Sequence, residues 1–156
     1  MTMIFKKILV AFDGSEQSQH AIDAAAEMAN TNKGKLVVLT VVPKVSLPIF
    51  PDEGFGNAPV ATPADWADYQ DKMNASYKKS QDDAMKGLKE HYPKLATEAI
   101  LLEGRPSAKI VEQAEKNQAD LIVMGSRGIG GISGWILGST SRRVVESCTK
   151  PVLIMK

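Results

Sequence analysis

The sequence predicts an α/β fold: an open, doubly wound parallel sheet of five strands with helices on both faces. Three observations predict it. Strand-like and helix-like segments alternate from one end of the chain to the other. The strand candidates are unbroken apolar runs rather than alternating ones, which marks strands buried on both faces. The fourth run, Leu121–Met124, empties into a glycine-rich loop ahead of a helix, and open parallel sheets place their ligands at such strand ends.

Taken in order, Ile8–Phe12 is a short apolar run bounded by Asp13-Gly14-Ser15, and reads as a buried strand. From Ser15 to Asn30, Ala21, Ala25 and Met28 recur at helical spacing, with Ile22, Ala26 and Ala29 beside them. Gly34 resets the chain. Leu36–Val42 is a long, β-branched second strand stopped by Pro43. Residues from about 43 to 63 form a proline-rich loop, holding five of the eight prolines; such a length is unusual in a compact domain. Thr62-Pro63-Ala64-Asp65 then reads as a helix start, with a hydroxyl cap, a proline in the first turn and an acid at the third position. Trp66, Tyr69, Met73, Tyr77, Ala84, Met85 and Leu88 follow one helical face, interrupted by a polar gap at Ser80 and Gln81, and Pro93 closes the helix. Ala96–Leu102 is the third strand, Pro106–Asn117 the third helix and Leu121–Met124 the fourth strand. Ser139–Ser147 is the fourth helix and Pro151–Met155 the fifth strand.

Bulk properties narrow the function classes. A chain of 156 residues is expected to form one domain with a core of its own. The net charge of +1, with Lys and Arg scattered, gives no basic stripe for nucleic acid or an anionic membrane. His20, His91 and the single Cys148 form no ligand cluster, which excludes a disulfide scaffold and a Cys/His zinc site. No apolar run has membrane-spanning length and the first residues lack a signal-peptide core, so a cytoplasmic protein without nucleic-acid or membrane partners is expected.

Between Gly125 and Gly138 lie six of the twelve glycines. Glycine lets the backbone approach a ligand closely, and the helix that follows offers unpaired N–H groups to an anion. If the first and fourth strands are neighbours, this loop meets Asp13 at one crevice. There Asp13 suits ribose hydroxyls or an exocyclic amine, Val41 supplies an apolar wall for a base, and Ser139 and Thr140 face phosphate oxygens. The pocket so drawn is that of a mononucleotide. Two other phosphate signatures fail. No Gly-Lys-Ser/Thr occurs, and the turn after the first strand, Phe12-Asp-Gly-Ser-Glu-Gln, is not a dinucleotide fingerprint.

Gly125-Ser-Arg-Gly128, nine residues, then Gly138-Ser139 resembles the G-x2-G-x9-G-[ST] element of the universal stress proteins. Lys7–Ser15 is similar to that family's opening strand and turn, and Lys150–Met155 to its closing strand. The resemblance spans nearly the whole chain. It implies a sheet of order 3-2-1-4-5, an adenine nucleotide at the crevice between strands one and four, and a homodimer. For the branch that keeps the three glycines, it implies ATP, with AMP or ADP as variants. Carried over, Asp13 meets the adenosine, Ala11 and Val41 flank the base, Met124 and Gly125 lie near the ribose, and Gly128, Gly138, Ser139 and Thr140 hold the phosphates. Ala11 stands where some members have proline, and Gly130, Gly131 and Gly134 loosen the spacer. The dimer is expected through the edge strand Val152, Leu153, Ile154 and Met155, since an unpaired apolar edge is a template for pairing.

Plainer readings stand beside these. Asp13 also suits a helix cap, and the two roles are compatible. Arg127, Arg142 and Arg143 are candidates for phosphate contact, though Arg142 and Arg143 read more simply as a solvated helix face. Trp135 either stacks on a base or anchors the loop. Cys148 reads as a small buried apolar residue, and both histidines as surface residues. Phe50 and Phe55 either close over the site as a lid or belong to a disordered insertion. No residue is assigned a catalytic role. Asp13 is the crevice's one evident acid and the ribose competes for it, so slow hydrolysis is the most these residues suggest, with Mg²⁺ held mainly through the phosphates. A nucleotide-dependent switch or dimeric interaction module in a stress response is the favoured function. The alternative is a flavin or electron-transfer domain.

Overall fold

A computed structural model describes residues 4–46, 62–129 and 137–156. Five parallel strands form one sheet in the order β3-β2-β1-β4-β5: β1 (Lys7–Ala11), β2 (Lys35–Pro43), β3 (Ala96–Gly104), β4 (Leu121–Gly125) and β5 (Val152–Met155). Between them run α1 (Glu16–Thr31), α2 (Pro63–His91), α3 (Pro106–Lys116) and α4 (Ser139–Ser147). Successive side chains of a strand point to opposite faces, and the sheet accordingly has two cores. Ile8, Val10, Leu36, Val38 and Val123 meet α1 and Leu88 of α2 on one face. Leu9, Val37, Leu39, Val41 and Ile122 meet Ile110 and Ala114 of α3 and Val144 of α4 on the other. The fold is the doubly wound one, in the order the family resemblance implies.

The helix starts follow local chemistry. Ser15 caps α1, its hydroxyl accepting the Ser18 N–H. Thr62 caps α2 in a reciprocal box with Asp65, and Pro63 opens the helix. The Thr62 backbone N–H and hydroxyl both donate to the Asp65 carboxylate, which holds its pKa below the usual carboxylate value. At 29 residues α2 is about 43 Å long, against about 30 Å for the nine-residue β2. Its C-terminal half covers the sheet through Leu88. Its N-terminal half reaches the end of β2, where Gln70 accepts the Val45 N–H at 2.8 Å and donates to the Pro43 carbonyl at 3.3 Å.

The polar gap read at Ser80 and Gln81 is a structural contact. Gln81 is 3% exposed, and its amide donates to the Val38 carbonyl at 3.2 Å and the Ile100 carbonyl at 2.9 Å, clamping α2 to β2 and β3. Burying an amide is tolerable because both bonds are made. Gln81→Ala is therefore expected to destabilise the fold by about 1–3 kcal/mol, read as a lower urea midpoint at unchanged m-value.

Strand lengths create the site. In register Ala11, the last residue of β1, faces Leu39, while β2 continues to Pro43, which faces Gly104 of β3. On the other side Val10 faces Val123, so β4 also ends close to the level of β1. β2 thus overhangs β1 by four residues, and a notch opens above the carboxyl ends of β1 and β4.

Candidate functional site

The notch is a cavity of about 380 Å³, within the range of small-ligand sites. All nine residues expected to meet a nucleotide line it: Ala11, Asp13, Val41, Met124, Gly125, Gly128, Gly138, Ser139 and Thr140. Ala11, Met124 and Gly125 come from the strand ends, Val41 from the β2 overhang, and Gly138, Ser139 and Thr140 from the start of α4. Val41 and Met124 are nearly buried, at 7% and 4% exposed, so this part of the wall is apolar.

Asp13 joins the two loops. Its Oδ1 accepts the Ser15 N–H at 2.9 Å and its Oδ2 accepts the Ile129 N–H at 3.1 Å. The cap of α1 is Ser15 rather than Asp13; Asp13 instead fixes the turn before the helix and fastens the start of the glycine loop. Gly128 permits that approach, since a Cβ on it would stand 2.5 Å from Asp13 Oδ2. Gly125 is needed for packing, because a Cβ there would lie 2.7 Å from Gln17 Cβ of α1.

The opening turn of α4 supplies donors. Gly138 is its N-cap and makes no side-chain cap bond, and the N–H groups of Ser139, Thr140 and Ser141 belong to the first turn, which has no intrahelical acceptors. Partial positive charge at this end favours an anion. The Ser126 carbonyl sets the turn in place, accepting the Gly138 N–H and the Ser141 hydroxyl, each at 2.7 Å. The Ser126 N–H in turn donates to the Met155 carbonyl of β5 at 2.7 Å. One residue therefore ties the cavity's donor end to the strand at the sheet edge.

Several wall residues had no signal as such in the sequence. Tyr77 enters from α2, and Pro106 and Ile110 from the start of α3. Tyr77 is half-buried. Burial first, and then the negative charge of Asp13, push its phenol pKa up. Arg127 also lines the cavity, whereas Arg142 and Arg143 are exposed on α4. His20 and His91 are exposed on helices, and Cys148 is half-buried against the α3–α4 core. Phe50, Phe55 and Trp135 lie outside the described residues. Among the described residues no three His, Cys, Asp or Glu side chains stand together as a metal site, and no helix is long and apolar enough to cross a membrane.

The sequence pattern of the Universal stress protein family matches residues 4–156. The chain is similar to universal stress protein YxiE of Bacillus subtilis, with 32% identity over 155 residues, 98% of this chain and 100% of the relative. Among solved structures it is similar to universal stress protein UspA from Lactobacillus plantarum, with a TM-score of 0.78 at 23% identity over 99% of this chain and 100% of that one. It is also similar to a universal stress protein solved in complex with cAMP, with a TM-score of 0.59 at 26% identity over 99% of this chain and 98% of that one. The glycine spacing, the strand order and these likenesses agree: the chain belongs to the universal stress protein family.

Proposed function

We propose that the protein binds ATP, with AMP and ADP as related ligands, and acts as a nucleotide-dependent switch in a cytoplasmic stress response. The observation that carries this reading is the convergence of Asp13, the apolar Val41 wall and the uncapped start of α4 on one cavity. Those three parts suit a ribose, a base and a phosphate chain in turn. The cAMP bound by a structural neighbour supports an adenine nucleotide. Ala11 and Val41 flank the base, Met124 and Gly125 adjoin the ribose, and Gly128, Gly138, Ser139 and Thr140 hold phosphates. Mg²⁺ rides on the phosphate oxygens and its own waters, as this ion commonly does. Hydrolysis is at most slow, because Asp13, the carboxylate among the described wall residues, already accepts two N–H bonds.

The switch acts through Ser126. Phosphates drawn to the start of α4 pull on the Ser126 carbonyl, and the Ser126 N–H holds Met155. Val152, Leu153, Ile154 and Met155 form the edge strand, each half-buried, and pairing of this edge with a second copy gives a two-fold homodimer. Occupancy of the cavity then biases the geometry of the dimer.

Thermal unfolding of ligand-stripped protein tests the reading, with Mg-ATP compared against AMP, GTP and FAD. At about 100 times its dissociation constant a ligand adds about 2.7 kcal/mol, or about 5–10 °C for a domain of this size. ATP is expected to raise Tm by this amount and GTP to do little. No shift with any adenine nucleotide would overturn the proposal, and a shift with FAD alone would favour a flavin domain. Sedimentation with and without ATP reads the dimer.

A further inference from the structure

Four residues of α2 at positions 70, 74, 77 and 81 share one helical face, by their spacing of about one and two turns. Three of them are tied down. Gln70 bonds Val45, Pro43 and Asn74, Asn74 donates to the Glu103 carboxylate, and Gln81 holds the Val38 and Ile100 carbonyls. These bonds fix the position and roll of the helix above the ends of β2 and β3. Tyr77 sits in the middle of that fixed stripe, in the cavity wall, and its hydroxyl has no hydrogen-bond partner among the described residues. A phenol carried into the cavity wall on a fixed helix, with no acceptor among the described residues holding it, is a donor available to a ligand.

Asp13 lines the same cavity, and the turn that carries it abuts α2, since a Cβ on Gly14 would stand 3.3 Å from Ser80 Oγ. As a carboxylate it only accepts, and two of its acceptor positions are taken by the Ser15 and Ile129 N–H groups. One cavity wall thus presents both a donor and an acceptor. A hydroxyl answers both, since it donates one hydrogen bond and accepts others; an apolar edge answers neither.

We propose that Tyr77, acting with Asp13, reads the sugar hydroxyls of the bound nucleotide, Asp13 accepting from them and Tyr77 donating to them. This inference rests on the nucleotide reading of the cavity and extends it: Tyr77 becomes a residue that selects ribonucleotides over sugars without hydroxyls. Tyr77→Phe removes the donor and keeps the ring, so the wall and its apolar contacts persist.

Calorimetric titration of wild type and Tyr77→Phe with Mg-ATP and with Mg-2′,3′-dideoxy-ATP tests it. Wild type is expected to prefer ATP. The variant should bind ATP about three- to tenfold more weakly, the worth of one neutral hydrogen bond, and bind the dideoxy analogue as wild type does. The preference shrinks by the same factor. An equal loss for both ligands would make Tyr77 a packing residue and overturn the proposal, as would no loss for either. Wild type that binds neither nucleotide would overturn the nucleotide reading itself, whereas wild type that binds ATP with an unaltered Tyr77→Phe preference overturns only the role of Tyr77. Unfolding curves for the two proteins show whether the variant is folded.

Discussion

Gly138→Val is expected to abolish the rise in Tm proposed for Mg-ATP while leaving the protein folded. The backbone itself does not demand glycine there: φ is −63° and ψ 167°, open to any residue. Space is what matters. A Cβ on Gly138 lies 3.2 Å from the Ser126 carbonyl oxygen and 3.4 Å from Arg127 Cα and Cγ. Valine adds two further methyl groups at the residue that begins α4, beside the N–H groups assigned to the phosphates. It also crowds the 2.7 Å bond from the Gly138 N–H to Ser126. If two of the proposed hydrogen bonds to phosphate are lost, ATP binding is expected to weaken by at least about 100-fold. The fold loses about 1 kcal/mol, since valine is a poor N-cap, which lowers Tm by about 2–4 °C. Gly138→Ala, carrying only the Cβ, is expected to fall between. Wild-type ATP affinity in the valine variant would place the phosphates elsewhere and sink the assignment of Gly138, Ser139 and Thr140.

Features set by neighbours in the chain are legible in the sequence. Thr62, Pro63 and Asp65 form a capping box because each acts on a residue within three positions. The alternation of apolar runs gave the two-faced sheet for a similar reason, as a strand buried on both faces needs no partner to reveal its pattern. The glycine spacing was legible because a tight approach forbids a side chain whatever lies opposite; Gly125 against Gln17 of α1 is such a case. What was not legible depends on height above the sheet. Periodicity places Tyr77 and Gln81 on the inner face of α2, but not at which level the helix leaves the core for the strand ends. Gln81 therefore read as a gap and Tyr77 as core, although one clamps two strands and the other lines the cavity. Pro43 read as the stop of the second strand, and β2 does end there, its last residue pairing in register with Gly104. The register against β1, where Ala11 faces Leu39, is what turns that end into an overhang, and no local pattern marks it. The part played by Ser126 is carried by its backbone N–H and C=O, which every residue except proline possesses and no sequence pattern marks.

Gly34→Ala is expected to do the reverse of Gly138→Val, lowering stability sharply while leaving ATP affinity unchanged. Gly34 precedes β2, at the end of the sheet remote from the cavity. A Cβ there would stand 2.0 Å from the Lys6 carbonyl oxygen and 2.7 Å and 2.8 Å from its C and Cα atoms. All three are backbone, so no rotamer change relieves the clash. Nor is Lys6 free to retreat. Its carbonyl accepts the Lys35 N–H at 2.6 Å, and its N–H donates to Asp120 at 3.0 Å. Asp120 also accepts the Lys7 N–H at 2.8 Å, and Asn32 holds the Phe5 carbonyl at 2.9 Å. The methyl group must therefore part β1 from β2 at their first residues or shift the end of α1, which is bonded through the Gly34 N–H to Ala29. Overpacking against backbone held this firmly costs about 3 kcal/mol, or a fall in Tm of about 6–12 °C. The dissociation constant for ATP, measured below the unfolding transition, should match wild type, because nothing at the carboxyl ends of the strands is altered. The two glycine variants then separate what a single one cannot. Gly138→Val loses the ligand and keeps most of the stability; Gly34→Ala loses stability and keeps the ligand. A Tm for Gly34→Ala within 2 °C of wild type would show that β1 and β2 yield at this point, and that the clamp formed by Asp120 and Asn32 is weaker than its hydrogen bonds imply.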